Sequence, residues 1–364
     1  MAKLSTPLRL SPVFKEKIWG REDLSPLFPR AAEGVPAVGN HPSRRDAGDP
    51  RLYGEAWLTD DASEFMNGPV AGRALAEVSA EYGKGLWGAA WKGNRFPILA
   101  KYIFTAEWLS IQVHPDDEQA RRYDPGSAGK SEMWYVAAAE ANAAILLGLK
   151  PGVSKEQLRF ACAEGSARSL LREWNPREQE ALFVPPGTVH AIGPSLTLFE
   201  TEQNSDLTYR LDDYGRPGQD GKPRPLHLDK GIGVTRVEAP AHRNLPHAVV
   251  REPFGLRRYV LACRHFAVEE LTLDKTGKFT AVEARVEMLS VLQGAGRVET
   301  AAGWFGYHPG DTWLIPPGDY RYRLEPRSNT RMLKVYVPDS TEDWRRTLRR
   351  RRVKKTLLDR IIFD

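Results

Sequence analysis

From about residue 96 the apolar positions of this 364-residue chain fall in short alternating runs, closed at close intervals by Gly and Pro. Residues 96–105, 109–114, 133–139, 143–149, 183–185 and 196–202 are such runs, and a period of two puts successive side chains on opposite faces of a strand. One stretch breaks the rhythm. Between Ser154 and Trp174, Leu158, Ala161, Cys162, Leu170 and Leu171 follow a possible N-cap at Ser154, with Gly165 placed to split the stretch; this predicts a small helical insertion within 151–180. Residues 31–50 carry six Gly or Pro (Gly34, Pro36, Gly39, Pro42, Gly48, Pro50) among few large apolar side chains and predict an exposed loop. After Val249 a second β-rich section begins, with runs at 266–273, 287–292, 312–316, 320–324 and 332–337.

An internal echo links the two sections. Phe183-Val184-Pro185-Pro186-Gly187-Thr188-Val189-His190 is matched by Leu314-Ile315-Pro316-Pro317-Gly318-Asp319-Tyr320-Arg321, with Arg321 standing where the first copy has His190. The economical expectation is two related β-barrels, 1–245 with a metal-binding position and 246–340 without one. The length suits two modules.

The formal net charge of +5 is local: nine Lys and Arg against four acids between Glu342 and Asp364 give +5, so the rest of the chain is formally neutral. That argues against a nucleic-acid-binding face. In 341–364, Trp344, Leu348, Leu357, Leu358, Ile361 and Ile362 predict a basic amphipathic helix docked on the barrels. No stretch approaches the roughly 18–20 apolar residues of a membrane span, and Met1 to Arg9 lacks the features of a secretory signal, so a soluble, cytoplasmic protein without a membrane partner is expected. Cys162 and Cys263 are the only cysteines, which leaves nitrogen and oxygen ligands for any metal.

Strand periodicity puts Ser110, Gln112 and His114 on one face, Lys130, Glu132 and Trp134 on another, and Thr188 with His190 on a third. Taken singly, each is an ordinary solvated strand face. Together, two His, one Glu and one Gln form a set suited to Zn²⁺ or another divalent first-row ion, and its net positive charge favours an oxyanion. Residues 208–216 mix aromatic and charged side chains after a strand, and Arg is the side chain for forked recognition of phosphate or an enediolate. His265 and His308 read as ordinary histidines.

These residues resemble a known family, the type I mannose-6-phosphate isomerases of the cupin superfamily. The resemblance runs through Ile18-Trp19-Gly20, Gly54-Glu55-Ala56-Trp57, Phe96-Pro97-Ile98-Leu99-Ala100-Lys101, Gln112-Val113-His114-Pro115-Asp116-Asp117, Gly129-Lys130-Ser131-Glu132-Met133-Trp134-Tyr135, Pro186-Gly187-Thr188-Val189-His190-Ala191-Ile192-Gly193 and Tyr209-Arg210. It implies a mainly β fold of two cupin-type jelly-roll barrels with a small helical insertion and a C-terminal helix. It also implies one Zn²⁺ per chain on Gln112, His114, Glu132 and His190, a sugar-phosphate substrate, Arg210 beside C1 and C2 of the open-chain sugar, and Lys101, Ser110, Lys130 and Arg216 in contact with the substrate or its phosphate. Longer members carry a His before the residue that matches Lys130; Gly129 stands here, which leaves Asp206 as a candidate for ring opening. For the proton-transfer base the expectation is Lys130, with its pKa lowered by the metal. The residues also admit an Fe²⁺ cupin oxygenase or a non-catalytic sugar-phosphate-binding cupin.

Overall fold

In the computed structural model, which describes residues 4–28, 52–89, 93, 95–218, 221–240 and 242–364, alternation along each strand decides where every layer goes. The loop expected at 31–50 lies outside the described residues. Along Leu196–Gln203, Leu196 and Leu198 face one apolar cluster and Phe199 another, so Glu200 and Glu202 share the side of the two leucines.

The described strands form four antiparallel sheets. A six-stranded sheet (Val13–Arg21, Tyr53–Trp57, Ile98–Thr105, Leu196–Gln203, Glu132–Ala139, Ala181–Val184) faces a five-stranded one (Tyr209–Asp212, Ile111–Val113, His190–Ile192, Ile145–Leu149, Leu171–Trp174). Ile103, Trp134 and Val184 from the first and Ile145, Leu147 and Ile192 from the second share the apolar layer between them. A seven-stranded sheet (Leu8–Leu10, Thr312–Ile315, Glu287–Gln293, Thr330–Tyr336, Ala267–Leu273, Gly255–Ala262, Ala248–Glu252) faces a four-stranded one (Gly277–Thr280, Arg321–Pro326, Gly296–Thr300, Gly303–Tyr307) over Leu289, Val298, Trp313 and Tyr322. The two larger sheets then pack back to back through Tyr102, Tyr135 and Phe199 on one side and Val268, Leu314 and Val335 on the other. The order of layers is five, six, seven, four. The barrels expected from the resemblance are sandwiches of open sheets here: each sheet keeps two edge strands, and none closes on itself.

The helical reading of the insertion holds in part. Helix Lys155–Ala163 starts in a capping box between Ser154 and Gln157 and lays Leu158, Ala161 and Cys162 on the outer face of the five-stranded sheet. Gly165, at φ +67°, follows its end, a short 3₁₀ turn spans Ala167–Leu170, and Leu171–Trp174 is an edge strand. The tail, expected as one helix, forms two, Thr341–Arg350 and Lys355–Ile361. At about 100° per residue a single helix would leave Leu348 and Ile361 about 140° apart. The break between them lets Trp344, Leu348, Leu358 and Ile361 all join the cluster on Tyr259, Ala262 and Tyr336 of the seven-stranded sheet. No helix among the described residues is long and apolar enough to cross a membrane.

The back-to-back contact is a core interface, and Phe199 is fully buried in it with its ring edge-on to Tyr102 at 5.5 Å. Phe199→Ala should therefore cost about 3–5 kcal/mol in urea denaturation. A loss below about 1 kcal/mol would show that the two sheets do not pack closely there.

Candidate metal centre and active site

One rung across the five-stranded sheet collects most of the candidate residues. Arg210 pairs with Gln112, and Gln112 with His190, so the three lie side by side on neighbouring strands. The facing sheet contributes a second rung, in which Glu132 pairs with Glu202, and one step further Glu200 pairs with Lys101. Trp134 forms the floor, with its ring 5.3 Å from that of His190 and its Nε1 donating to Glu200 at 2.9 Å.

Two main-chain carbonyls set the histidines. His114 Nδ1 lies 2.8 Å from Leu207 O and His190 Nδ1 2.9 Å from Thr188 O. A carbonyl only accepts, so each Nδ1 carries the proton and each Nε2 presents a lone pair. These lone pairs converge on Glu132, with His190 Nε2 3.2 Å from Oε1 and His114 Nε2 3.6 Å from Oε2. His114, Glu132 and His190 are at most 1 % exposed, and their ligand atoms all lie within 4.8 Å of one another. Among the described residues, His114 Nε2 and both Glu132 oxygens are buried without a hydrogen bond. Gln112 Nε2 lies 3.3 Å from His190 Nε2, and a half-turn of the amide puts its oxygen in that place.

Burial pushes the His190 imidazole down to about 4 and, helped by Lys130, pushes that of His114 well down too. Both are neutral near pH 7, the form in which imidazole binds metal. Burial, with Glu200 and Glu202 close by, raises Glu132 well above the usual carboxylate range against the opposing pull of Lys130. A bare imidazole nitrogen on His114, a second on His190 met only by the Gln112 amide, and a carboxylate that is costly to ionise are what a divalent cation would satisfy, so the residues fit a metal of the zinc type. Glu132, Glu200 and Glu202 form a second cluster of ligand atoms, but the ammonium groups of Lys101 and Lys130 already stand against its carboxylates.

Lys130 departs from expectation. Its Nζ lies 3.1 Å from Glu132 and 2.8 Å from Glu202; burial disfavours its charge, but the two carboxylates outweigh burial and hold the ammonium above its usual range. The protein groups alone therefore oppose the lowered pKa expected of a base. Lys101, expected at the phosphate, is 3 % exposed and held by Glu200 at 2.8 Å and Glu202 at 3.3 Å. Ser110 Oγ lies 3.4 Å from Gln112 Oε1, and Asp206 is exposed.

Arg210 donates through Nη1 to Pro225 O at 3.0 Å, while its buried Nε has no hydrogen bond among the described residues. Burial and the like charges of Arg224 and Arg216 lower its pKa against Asp213. Arg216 and Arg224 share Asp213 at 3.0 and 2.5 Å. Three guanidinium groups near one buried carboxylate leave a surplus of positive charge at this rim, which suits a phosphate.

Sequence reasoning missed Glu200, Glu202 and Arg224. The two glutamates share one face of a strand, a signal that was readable but hidden within an apolar run; nothing local marks Arg224.

The neutral histidines make stability depend on pH. An unfolded His takes up its proton near pH 6.5 and folded His190 only near pH 4, so the unfolded chain binds more protons between these values and stability falls as pH drops through that window. For metal-free protein, the wild type should lose about 2–3 kcal/mol more than His190→Gln between pH 7 and pH 4.5 in denaturant titrations. Equal losses would show that His190 is not buried in its neutral form.

Comparison with known proteins bears on this geometry. Residues 8–143 match the family described as phosphomannose isomerase type I, catalytic domain. Mannose-6-phosphate isomerase ManA of Bacillus subtilis is 34% identical over 88% of this chain and 96% of its own, and mannose-6-phosphate isomerase of Streptococcus mutans is 32% identical over 86% and 93%. The crystal structure of mannose 6-phosphate isomerase from Bacillus subtilis superposes with a TM-score of 0.79 at 27% identity, covering 91% of this chain and 99% of that one. A variant of phosphomannose isomerase from Salmonella typhimurium, at 14% identity and a TM-score of 0.70 over 92% and 99%, shares the fold. With relatives of this similarity along nearly their whole length, the chain belongs to the type I mannose-6-phosphate isomerase family.

Proposed function

We propose that the protein interconverts mannose 6-phosphate and fructose 6-phosphate, using one Zn²⁺ held by Gln112, His114, Glu132 and His190. The observation that carries this reading is the convergence of the His114 and His190 Nε2 atoms on Glu132 beside the rung of Arg210, Gln112 and His190. Family membership supports it. The two buried, unpaired cysteines fit a reducing compartment, and a charged sugar phosphate is retained inside cells, so we place the activity in the cytoplasm. We further read the two sandwiches as duplicated jelly rolls, 1–245 carrying the active site and 246–340 a second unit without the ligand set, with 341–364 docked on it.

Aldose–ketose isomerisation takes a proton from C2 and returns one to C1, and the costly species is the enediolate between them. Zinc, when bound, supplies a Lewis acid for the sugar oxygens. Arg210 is placed to meet the developing negative charge, since it neighbours Gln112 and its Nε is uncommitted among the described residues. Lys130 is our choice for the proton carrier at C1 and C2. A cation on Glu132 would offset the carboxylate that now holds the Lys130 proton, while Glu202, pushed up to about 8 by burial and by Glu200, is a partner 2.8 Å away with which to share it. Ser110 and Arg216, with Arg224, would hold the phosphate, so that binding at the unreactive end orients C1 and C2. Lys101, enclosed by Glu200 and Glu202, would act behind them by fixing both carboxylates.

The test is the coupled assay from mannose 6-phosphate. Chelation should abolish turnover, and Zn²⁺ should restore it without oxygen; restoration only by Fe²⁺ with oxygen would replace the isomerase by an oxygenase. Lys130→Met should keep its bound metal and lose roughly 10²–10⁴-fold in kcat. A near-normal rate in that variant would remove Lys130 from proton transfer.

A further inference from the structure

A second charged mouth, unused by this chemistry, opens on the other sandwich. A cavity of about 450 Å³ lies against both the seven-stranded and the four-stranded sheet, with the start of helix Thr341–Arg350 on its wall. Small-molecule sites span roughly 300–1,000 Å³. Glu287 and Glu269 are at most 3 % exposed there, and Arg257, Arg285, Lys334 and Tyr336 line it with them.

The register puts these groups where the first mouth has its own. In the six-stranded sheet Val184 pairs with Glu132 and Glu132 with Glu202, while Glu200 pairs with Lys101 and Lys101 with Trp57. In the seven-stranded sheet Ile315 pairs with Glu287 and Glu287 with Tyr336, while Lys334 pairs with Glu269 and Glu269 with Tyr259. Glu287 therefore stands in the place of Glu132, and Arg285, two residues earlier, in the place of Lys130. The Pro-Pro-Gly echo gives the same alignment, with Ile315 for Val184 and Arg321 for His190. On the facing sheets His190 pairs with Gln112 and Arg321 with Thr280, so Thr280 replaces Gln112 and Val282 replaces His114. Of the four metal ligands only the carboxylate has a counterpart. The cross-strand ion pair between Lys101 and Glu200 recurs with its polarity reversed, Lys334 Nζ lying 3.9 Å from Glu269.

The lining selects a ligand by what it lacks. Among the described residues, Arg285 Nε is a buried donor without a hydrogen bond, and Arg257 Nε has only an ion-pair contact with Glu252 at 3.5 Å; Glu287 Oε1 is met by Lys334 Nζ at 2.9 Å and Arg285 Nη2 at 3.6 Å. Guanidinium donors with unused capacity beside a carboxylate that can accept further bonds suit hydroxyl groups, which do both; a phosphate dianion only accepts. Four cationic and four acidic side chains line the cavity, leaving no net charge to draw an anion. Phe279 stacked on Tyr322 at 5.4 Å, with Tyr336 and Trp344, supplies ring surface for the C–H face of a polyol. We infer that this cavity is a metal-free binding site for a small neutral polyol of monosaccharide size.

Isothermal titration of the zinc-loaded full chain with D-mannose, D-glucose and D-mannitol tests this. At least one probe should bind; Glu287→Gln should weaken that binding roughly tenfold or more, and Arg210→Ala, in the other sandwich, should leave it unchanged. Thr280 is exposed at the rim, so Thr280→Trp should block the cavity even where Glu287→Gln fails to fold. The inference is overturned if none of the three probes binds. It is also overturned if binding is lost with Arg210→Ala but not with Thr280→Trp, or if glucose 6-phosphate binds the cavity more tightly than glucose.

Discussion

The approach of two imidazole nitrogens to the Glu132 carboxylate is the constraint that the rest of the first sandwich serves. Three ionisable groups at most 1 % exposed meet at a point shielded from bulk solvent, where the carboxylate is costly to ionise unless a cation stands beside it. Glu132 arrives on the six-stranded sheet and the histidines on the five-stranded side, so the apolar layer beneath sets their separation. Trp134 belongs to that layer and to the site at once, since its ring supports His190 while its Nε1 holds Glu200. A change of volume in this floor would be felt as a change in the spacing of His190 and Glu132.

Much of this was legible in the chain. Alternation marked about half of the described strands, the echo at 183–190 and 314–321 marked turns that fall at matching places in the two sandwiches, and Gln112, His114, Glu132 and His190 stood out by type and spacing. The residues that escaped share a physical reason. Glu200 and Glu202 end a run that reads as an ordinary core strand, and their meaning appears only when register places them against Lys101 and Glu132, which is information between strands rather than along one. The strand Leu171–Trp174 took a helical reading because a short apolar segment has no decisive period, and the break in the tail depends on the sheet it packs against.

The electrostatics of Lys130 show where residue type stops being informative. A lysine beside a metal site invites the expectation of a lowered pKa, yet the nearest groups are carboxylates, and they win against burial. The state of Lys130 is thus a balance among Glu132, Glu202 and any cation that Glu132 holds. The charge state of Lys130 and the occupancy of the position beside Glu132 are coupled, because the same carboxylate answers to both.

The second sandwich shows which parts of such a site can change independently. The buried Glu and Lys side chains belong to the larger sheet of each sandwich and Gln112 and His190 to the smaller one, so the matching positions on the smaller sheet can carry Thr280 and Arg321 while buried paired charges remain on the larger. A buried charge cannot be dropped alone, because its partner would be left unpaired at a cost of several kcal/mol. It can be exchanged together with its partner, as the reversed pair of Glu269 and Lys334 illustrates against Lys101 and Glu200. The candidate metal ligands are therefore the separable layer and the paired charges the inseparable one, which is why the second mouth keeps a buried, charged lining without them.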